Sequence, residues 1–349
     1  MDWFDGHLDL ACLAMEGRDM LAGAPAGGSH PPGAVTLPTL REGGVRAALA
    51  TIFIEPDGSP ESIAYTPGDS PHAVASAVSA AERQLALYES WASTGEVRLG
   101  AWARAGGGDR RVGGAVNLGV LVEGADGIES PGTLARWVER GVVAVGLAWA
   151  KQTRYAGGNG CETGLTDRGR EMVSEADRLG VVHDVSHLSD RSLDGLFSCA
   201  RGRVMASHSN GRWLLDDGSL TLAARQRHLP ERAVREIAAR GGMIGTVLFS
   251  PFIIRGGRRD RRARLDEWYA HVEGLCEQMG GRGLIGLGSD ADGGFSSGML
   301  PEGIDRPSGF ALLGETLRDR GWSDDEVRGF AWGNWARFWG LDVGREGDA

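Results

Sequence analysis

Lysine is all but absent: Lys151 is the single one in 349 residues, and arginine makes up the rest of the 37 basic side chains. Against 47 acidic side chains this leaves a formal charge of -10 at pH 7. No basic stripe of the kind that neutralises phosphates interrupts the acidic balance, so nucleic acid is excluded as an expected partner. Cysteine is scarce too. Cys12, Cys161, Cys199 and Cys276 contain no CxxC pair, which argues against a disulfide framework or a sulfur-built zinc knuckle and fits a reducing compartment. Long apolar runs are missing: none approaches the roughly 20 residues that span a bilayer. The chain opens Met1-Asp2-Trp3-Phe4-Asp5 with no basic stretch and apolar leader. A cytoplasmic protein without membrane contact is the expectation.

What is present is ordinary globular material. Hydrophobic residues make up 42% and charged residues 24%, enough to bury a sizeable core. Short apolar runs alternate with longer amphipathic stretches, the pattern of βα units. Candidate strands cover residues 3–8, 47–54, 117–122, 142–148, 181–186, 204–207, 243–249 and 284–289. Eight is the number of an α/β (β/α)8 TIM barrel, whose roughly 250 residues and inserted loops suit one domain spanning 1–349. Helical patterns fall at 74–91, 133–140, 168–179, 231–239 and 265–278, with Thr166 as an N-cap and Gly180 as a left-handed C-terminal position. Residues 23–38 and 256–264 read as loops leaving the barrel, and the arginine run in the second reads as solvated.

Chemistry-bearing residues gather at the strand ends, the face on which barrel enzymes keep their sites. His7 and Asp9 are two apart on the first strand, so both side chains point the same way and can hold one ion. Alone, HxD is a weak signal. Glu123 closes the third run, where its carboxylate can bridge two ions; His187 and His208 close the fifth and sixth and suit a second ion; Asp290 closes the eighth, which barrel closure returns beside the first. Taken singly, each histidine is better read as a core residue bonded to a carbonyl. That reading does not explain six suitable residues at five strand ends. Three imidazoles and three carboxylates nearly balance two Zn2+ with a shared hydroxide, although Mn2+, Co2+ and Fe2+ also accept nitrogen and oxygen donors. His183 is expected to point away, and Asp184 and Asp292 are expected to orient ligands or cap loops.

These residues resemble the membrane (renal) dipeptidase family. The family's DGHNDLP, Glu-Gly, DxSH, SHS and GSDFDG are matched here by Asp5-Gly6-His7-Leu8-Asp9-Leu10, Glu123-Gly124, Asp184-Val185-Ser186-His187, Ser207-His208-Ser209 and Gly288-Ser289-Asp290-Ala291-Asp292-Gly293. Similarity extends to Leu40-Arg41-Glu42-Gly43-Gly44-Val45, Gly164-Leu165-Thr166 and Gly333-Asn334-Trp335-Ala336-Arg337-Phe338. The resemblance implies two zinc ions, with His7, Asp9 and Asp290 on one, His187 and His208 on the other and Glu123 between. It implies dipeptide hydrolysis, Arg227 holding the substrate carboxylate, and a homodimer; the chemistry expected of such a site is attack by a metal-bridging hydroxide with Asp290 shuttling the proton. One departure stands out. Where the family has a histidine after the fourth strand, this chain has Trp149, whose indole offers one neutral donor. Lys151 is a candidate replacement donor, and Trp149 a candidate pocket wall. Two other readings stay open: a related hydrolase of a non-dipeptide amide or lactone, and a metal-holding barrel without catalysis.

Overall fold

The computed structural model describes residues 1–56, 63–100 and 114–341. Among these described residues there are nine strands: β1 (Trp3–Leu8), β2 (Val45–Phe53), β3 (Val97–Leu99), β4 (Val116–Glu123), β5 (Val142–Gly146), β6 (Val182–Asp184), β7 (Val204–Ala206), β8 (Met243–Thr246) and β9 (Ile285–Leu287). All pair in parallel in the order β2-β1-β9-β8-β7-β6-β5-β4-β3, and an extra β2–β4 pairing closes the ring. The closed ring is an eight-stranded (β/α)8 barrel, and the eight expected runs supply its strands. β3 is the exception: it pairs with Val116 to Leu118 of β4, ahead of the point where β5 takes over the same edge at Val120.

The barrel strands are almost wholly buried on both faces, which is why they read as unbroken apolar runs rather than alternating ones. One face packs against the helices. The other fills the interior with Phe4, Leu49, Leu121, Val182, Met205 and Met243. The helix Asn334–Trp339 closes the end at which the strands start: Trp335 stacks on Phe4 at 5.4 Å, and its indole N–H donates to Leu287 O at 2.9 Å. Inside, Gly6, Gly245 and Gly288 all lie against the carbonyl oxygen of Ser207. A Cβ at Gly6 would sit 2.7 Å from that oxygen, so only glycine lets the strands approach there.

The outer helices follow their patterns. Residues 74–91 lie within Pro71–Ser93, 168–179 within Asp167–Leu179, and 231–239 coincide with Glu231–Ala239, which buries Ala233, Val234 and Ile237 on one face. Thr166 accepts from Gly169 N, and Gly180 adopts φ 71°. The loop 23–38 does not leave the barrel as expected. Ala34 N and Val35 N donate to the Asp292 carboxylate at 2.7 and 2.8 Å, and buried Arg18 pairs with the same group. This fold-back brings Ser29, His30 and Pro31 to the rim.

Candidate metal centre

His7 is the next-to-last residue of β1, Asp9 follows that strand, and Glu123 ends β4. His187, His208 and Asp290 stand just past β6, β7 and β9. The backbone there is not relaxed. His187 and Asp290 have φ of 67° and 56°, and Asp292 follows at 68°; left-handed non-glycine residues cost about 1–3 kcal/mol each and gather at functional sites. All six side chains are buried. Three overlapping sets converge within 4.8 Å: His7, Asp9 and Glu123; Glu123, His187 and His208; and His7, His208 and Asp290. Glu123 belongs to two of them, and Asp290 lies by His7 as expected and also by His208.

A buried network determines which ring nitrogens face inward. The Asp184 carboxylate accepts from Ser186 N at 3.0 Å and Ser207 N at 2.9 Å, and it takes the Ser207 hydroxyl proton at 2.6 Å. The Ser207 oxygen is left with two lone pairs. They face His7 Nδ1 at 3.2 Å and His208 Nδ1 at 2.8 Å, which assigns the proton to Nδ1 in both rings. His187 Nδ1 donates in the same way to Asn159 Oδ1 at 3.0 Å. All three rings therefore present an Nε2 lone pair to the centre. His187 Nε2 and His208 Nε2 are 3.0 Å apart, and His187 Nε2 is 3.2 Å from Glu123 Oε1. That oxygen is buried without a hydrogen-bond donor.

Lone pair facing lone pair at these distances is repulsive unless a cation lies among them. The titration directions agree. Burial works to lower the His7 pKa, yet Glu123 and Asp9 drive it well above its ordinary value. Burial works to raise Glu123, but His7 and His187 hold it well below the carboxylate range. His187 is pushed down to about 4, chiefly by burial, and His208 goes well below its usual value for the same reason. Nitrogen and oxygen donors with no sulfur fit divalent transition metals. Burial raises Asp290 well above the ordinary carboxyl value.

Asp184 holds Ser207 and Asp292 caps the loop at Ala34 and Val35, while His183 turns away to Asp177 Oδ1 at 2.6 Å. Sequence reasoning missed Asp5, Thr51, Asn159, Ser207 and Ser289. Thr51 Oγ1 donates to Asp9. The Asp5 carboxylate accepts from His7 N, Ser289 N and Ser289 Oγ at 3.2, 2.8 and 2.5 Å; burial raises its pKa to about 6 against the pull of Ser289. Asp5–Ser289 and Asp184–Ser207 are thus the same brace used twice, an aspartate on one strand tied to the serine just before a candidate ligand on a neighbouring strand. The serines before His208 and Asp290 were the available signal.

Around the centre lies a cavity of about 690 Å3 lined by all six residues together with Arg227, Trp149, Phe249, Phe252 and Arg259 among others. Arg227 is buried. It donates to His208 O at 2.8 Å and Ser209 Oγ at 3.3 Å, leaving its Nε without a partner. The half-buried Trp149 packs edge-on to Phe53 at 5.0 Å and tilts against His187 at 6.0 Å. Lys151 stands apart: its exposed side chain donates to Pro56 O at 3.2 Å, and it does not line this cavity. Arg259 is exposed, as the solvated reading of its run expects, and also borders the cavity. It faces the cavity with its guanidinium 5.3 Å from the Phe249 ring centroid.

Comparison with known proteins agrees with this geometry. The family described as membrane dipeptidase (peptidase family M19) matches residues 1–343. A Klebsiella pneumoniae protein in the pqqA 5' region is 28% identical over 225 residues, 62% of this chain and 78% of that protein. Rat dipeptidase 3 is 27% identical over 175 residues, 50% of this chain but only 33% of its own length. The crystal structure of a family M19 metallopeptidase, dipeptidase AC, superimposes with a TM-score of 0.80 over 99% of both chains at 23% identity, a likeness of fold. No helix among the described residues is long and apolar enough to cross a membrane. With the family matched along nearly its whole length, the chain belongs to the membrane dipeptidase family, peptidase family M19.

Proposed function

We propose that this chain is a metallodipeptidase that hydrolyses the amide bond of small dipeptides with two divalent ions, zinc in the first instance. His7, Asp9 and Asp290 would hold one ion, His187 and His208 the other, and Glu123 both. The observation that carries this reading is Glu123 Oε1, buried without a donor and facing an imidazole lone pair. Such ions polarise a scissile carbonyl and make a water acidic enough to attack near neutral pH.

The protein's own groups supply the rest. Asp290, as a carboxylate beside His7 and His208, would accept the proton released by the attacking water and return it to the departing amine nitrogen. Arg227, fixed by two of its nitrogens, turns its remaining N–H edge to the substrate's carboxylate. Trp149 walls the cavity over His187 and excludes water from that side.

Metal analysis and a panel of L,L- and L,D-dipeptides, with and without added Zn2+, test the proposal. It expects about two metal equivalents per chain and metal-dependent turnover; fully loaded protein inert to every dipeptide would overturn it. Asp290→Asn should lose turnover more completely than it loses metal, and equal loss of both would remove the proton-carrying role. Trp149 in place of the family's histidine favours a second reading, hydrolysis of a different amide or a lactone, and the same loaded protein offered those substrates separates the two.

A further inference from the structure

Most of the arginine run is spoken for. Arg258 pairs with Asp260 at 2.5 Å, Arg261 with Glu267 at 2.6 Å, Arg262 with Asp305 at 2.8 Å and Arg264 with Asp266 at 3.0 Å. Among the described residues Arg259 has no carboxylate partner, and its guanidinium lies over Phe249 in the wall of the cavity that holds the candidate ligands. Arg227 lies over the neighbouring ring in the same manner, 5.0 Å from the Phe252 centroid. The two rings meet edge to face at 4.8 Å. Phe249 is fixed from behind by stacking on Phe295 at 4.3 Å, and Phe252 by His228 at 5.0 Å.

Two guanidinium groups are therefore mounted on adjacent rings of one rigid platform. A stacked guanidinium keeps its N–H edge free and shaped for a carboxylate. A substrate with one carboxylate would satisfy Arg227 and leave Arg259 facing the cavity unmatched. We infer that the site is built for a substrate whose departing residue carries two carboxylates, a dipeptide ending in aspartate or glutamate. The α-carboxylate takes Arg227 and the side-chain carboxylate takes Arg259. Both belong to the departing residue because both arginines stand on one platform. This inference rests on the reading of Arg227 as the α-carboxylate partner.

The test compares kcat/KM for Ala-Glu and Ala-Gln, each with the L and the D residue at the C-terminus, in the zinc-loaded full chain and in Arg259→Ala. The parent should prefer Ala-Glu by about tenfold, the size of one charge-assisted hydrogen bond, and the variant should bring that ratio close to one. A parent without the preference, or a variant that slows both substrates equally, overturns the inference. Binding of N-acetylglutamate against N-acetylglutamine, followed by calorimetry on the same two proteins, reads the ratio without turnover. If no dipeptide is cleaved but this binding ratio collapses in Arg259→Ala, the dipeptidase reading fails while the two-carboxylate site stands; an unchanged binding ratio removes the site itself.

Discussion

Ser207→Ala is the sharpest test of how the centre is held. Besides a long 3.4 Å contact with Ser186 Oγ, one hydroxyl serves three partners: it gives its proton to Asp184 and accepts from the Nδ1–H groups of His7 and His208, at 2.6, 3.2 and 2.8 Å. Alanine fills nearly the same space and removes all three contacts. Each buried N–H left without an acceptor costs about 1–3 kcal/mol, so the two rings together lose about 2–6 kcal/mol unless they adjust. They can adjust by turning or by moving the proton to Nε2. Both adjustments spoil the ligand, since the second puts hydrogen where the lone pair is required.

Loss of an orienting partner typically weakens metal binding about 10–100-fold. Because His7 and His208 belong to different ions in the proposed arrangement, Ser207→Ala should weaken both. Asn159→Ala, which among the three rings frees only His187 Nδ1 and otherwise releases Ala223 O, should weaken one. Competition with a chelator of known affinity, together with metal content per chain, separates the two outcomes, with circular dichroism showing that the barrel is intact. If Ser207→Ala bound both ions as tightly as the parent, the tautomer assignment built on this hydroxyl would be wrong.

Arg18→Met should destabilise the fold by about 3–5 kcal/mol, because it strands the Asp292 carboxylate, whose side chain is 1% exposed, without its buried partner; denaturant unfolding measures this, and a loss no larger than that of a surface pair would contradict it. His271 governs part of the acid limb. Burial pushes its pKa down to about 4 from 6.5, while Nε2 hydrogen-bonds with Ile253 O at 2.9 Å. The unfolded chain takes up this proton first, so the contribution is complete above about pH 6.5 and is lost as pH falls toward about 4, on the order of 3 kcal/mol in all. His271→Gln does not titrate, and its urea midpoint should fall less steeply than the parent's across that window. Parallel curves would show that His271 is not protonated on unfolding.

How far the molecule could be read from its residues depends on whether the signal is local. The barrel strands are buried on both faces, so each left a continuous apolar run. The runs at 142–148 and 243–249 overshoot the observed ends at Gly146 and Thr246 because the buried, apolar chain carries on past the last ladder hydrogen bond. β3 is three residues long with only Val97 fully buried, and so left no run at all. The six candidate ligands were legible because histidine, aspartate and glutamate at strand ends are local facts. Arg259 was not, because nothing in its own segment separates it from Arg258 or Arg261; only the nearness of Phe249 and the cavity does so.

The braces were the least legible part and bear most directly on the chemistry. Ser207 meets His7 across 200 positions of sequence, and Ser289 meets Asp5 across 284. No spacing rule links such residues; they meet because the ring closes and sets neighbouring strand ends side by side. A chain with all six ligands but alanine at 207 would read the same by composition, periodicity and ligand spacing. It would nevertheless have lost the acceptor that keeps the protons of His7 and His208 on Nδ1, so ligand identity alone does not specify a metal centre on this barrel.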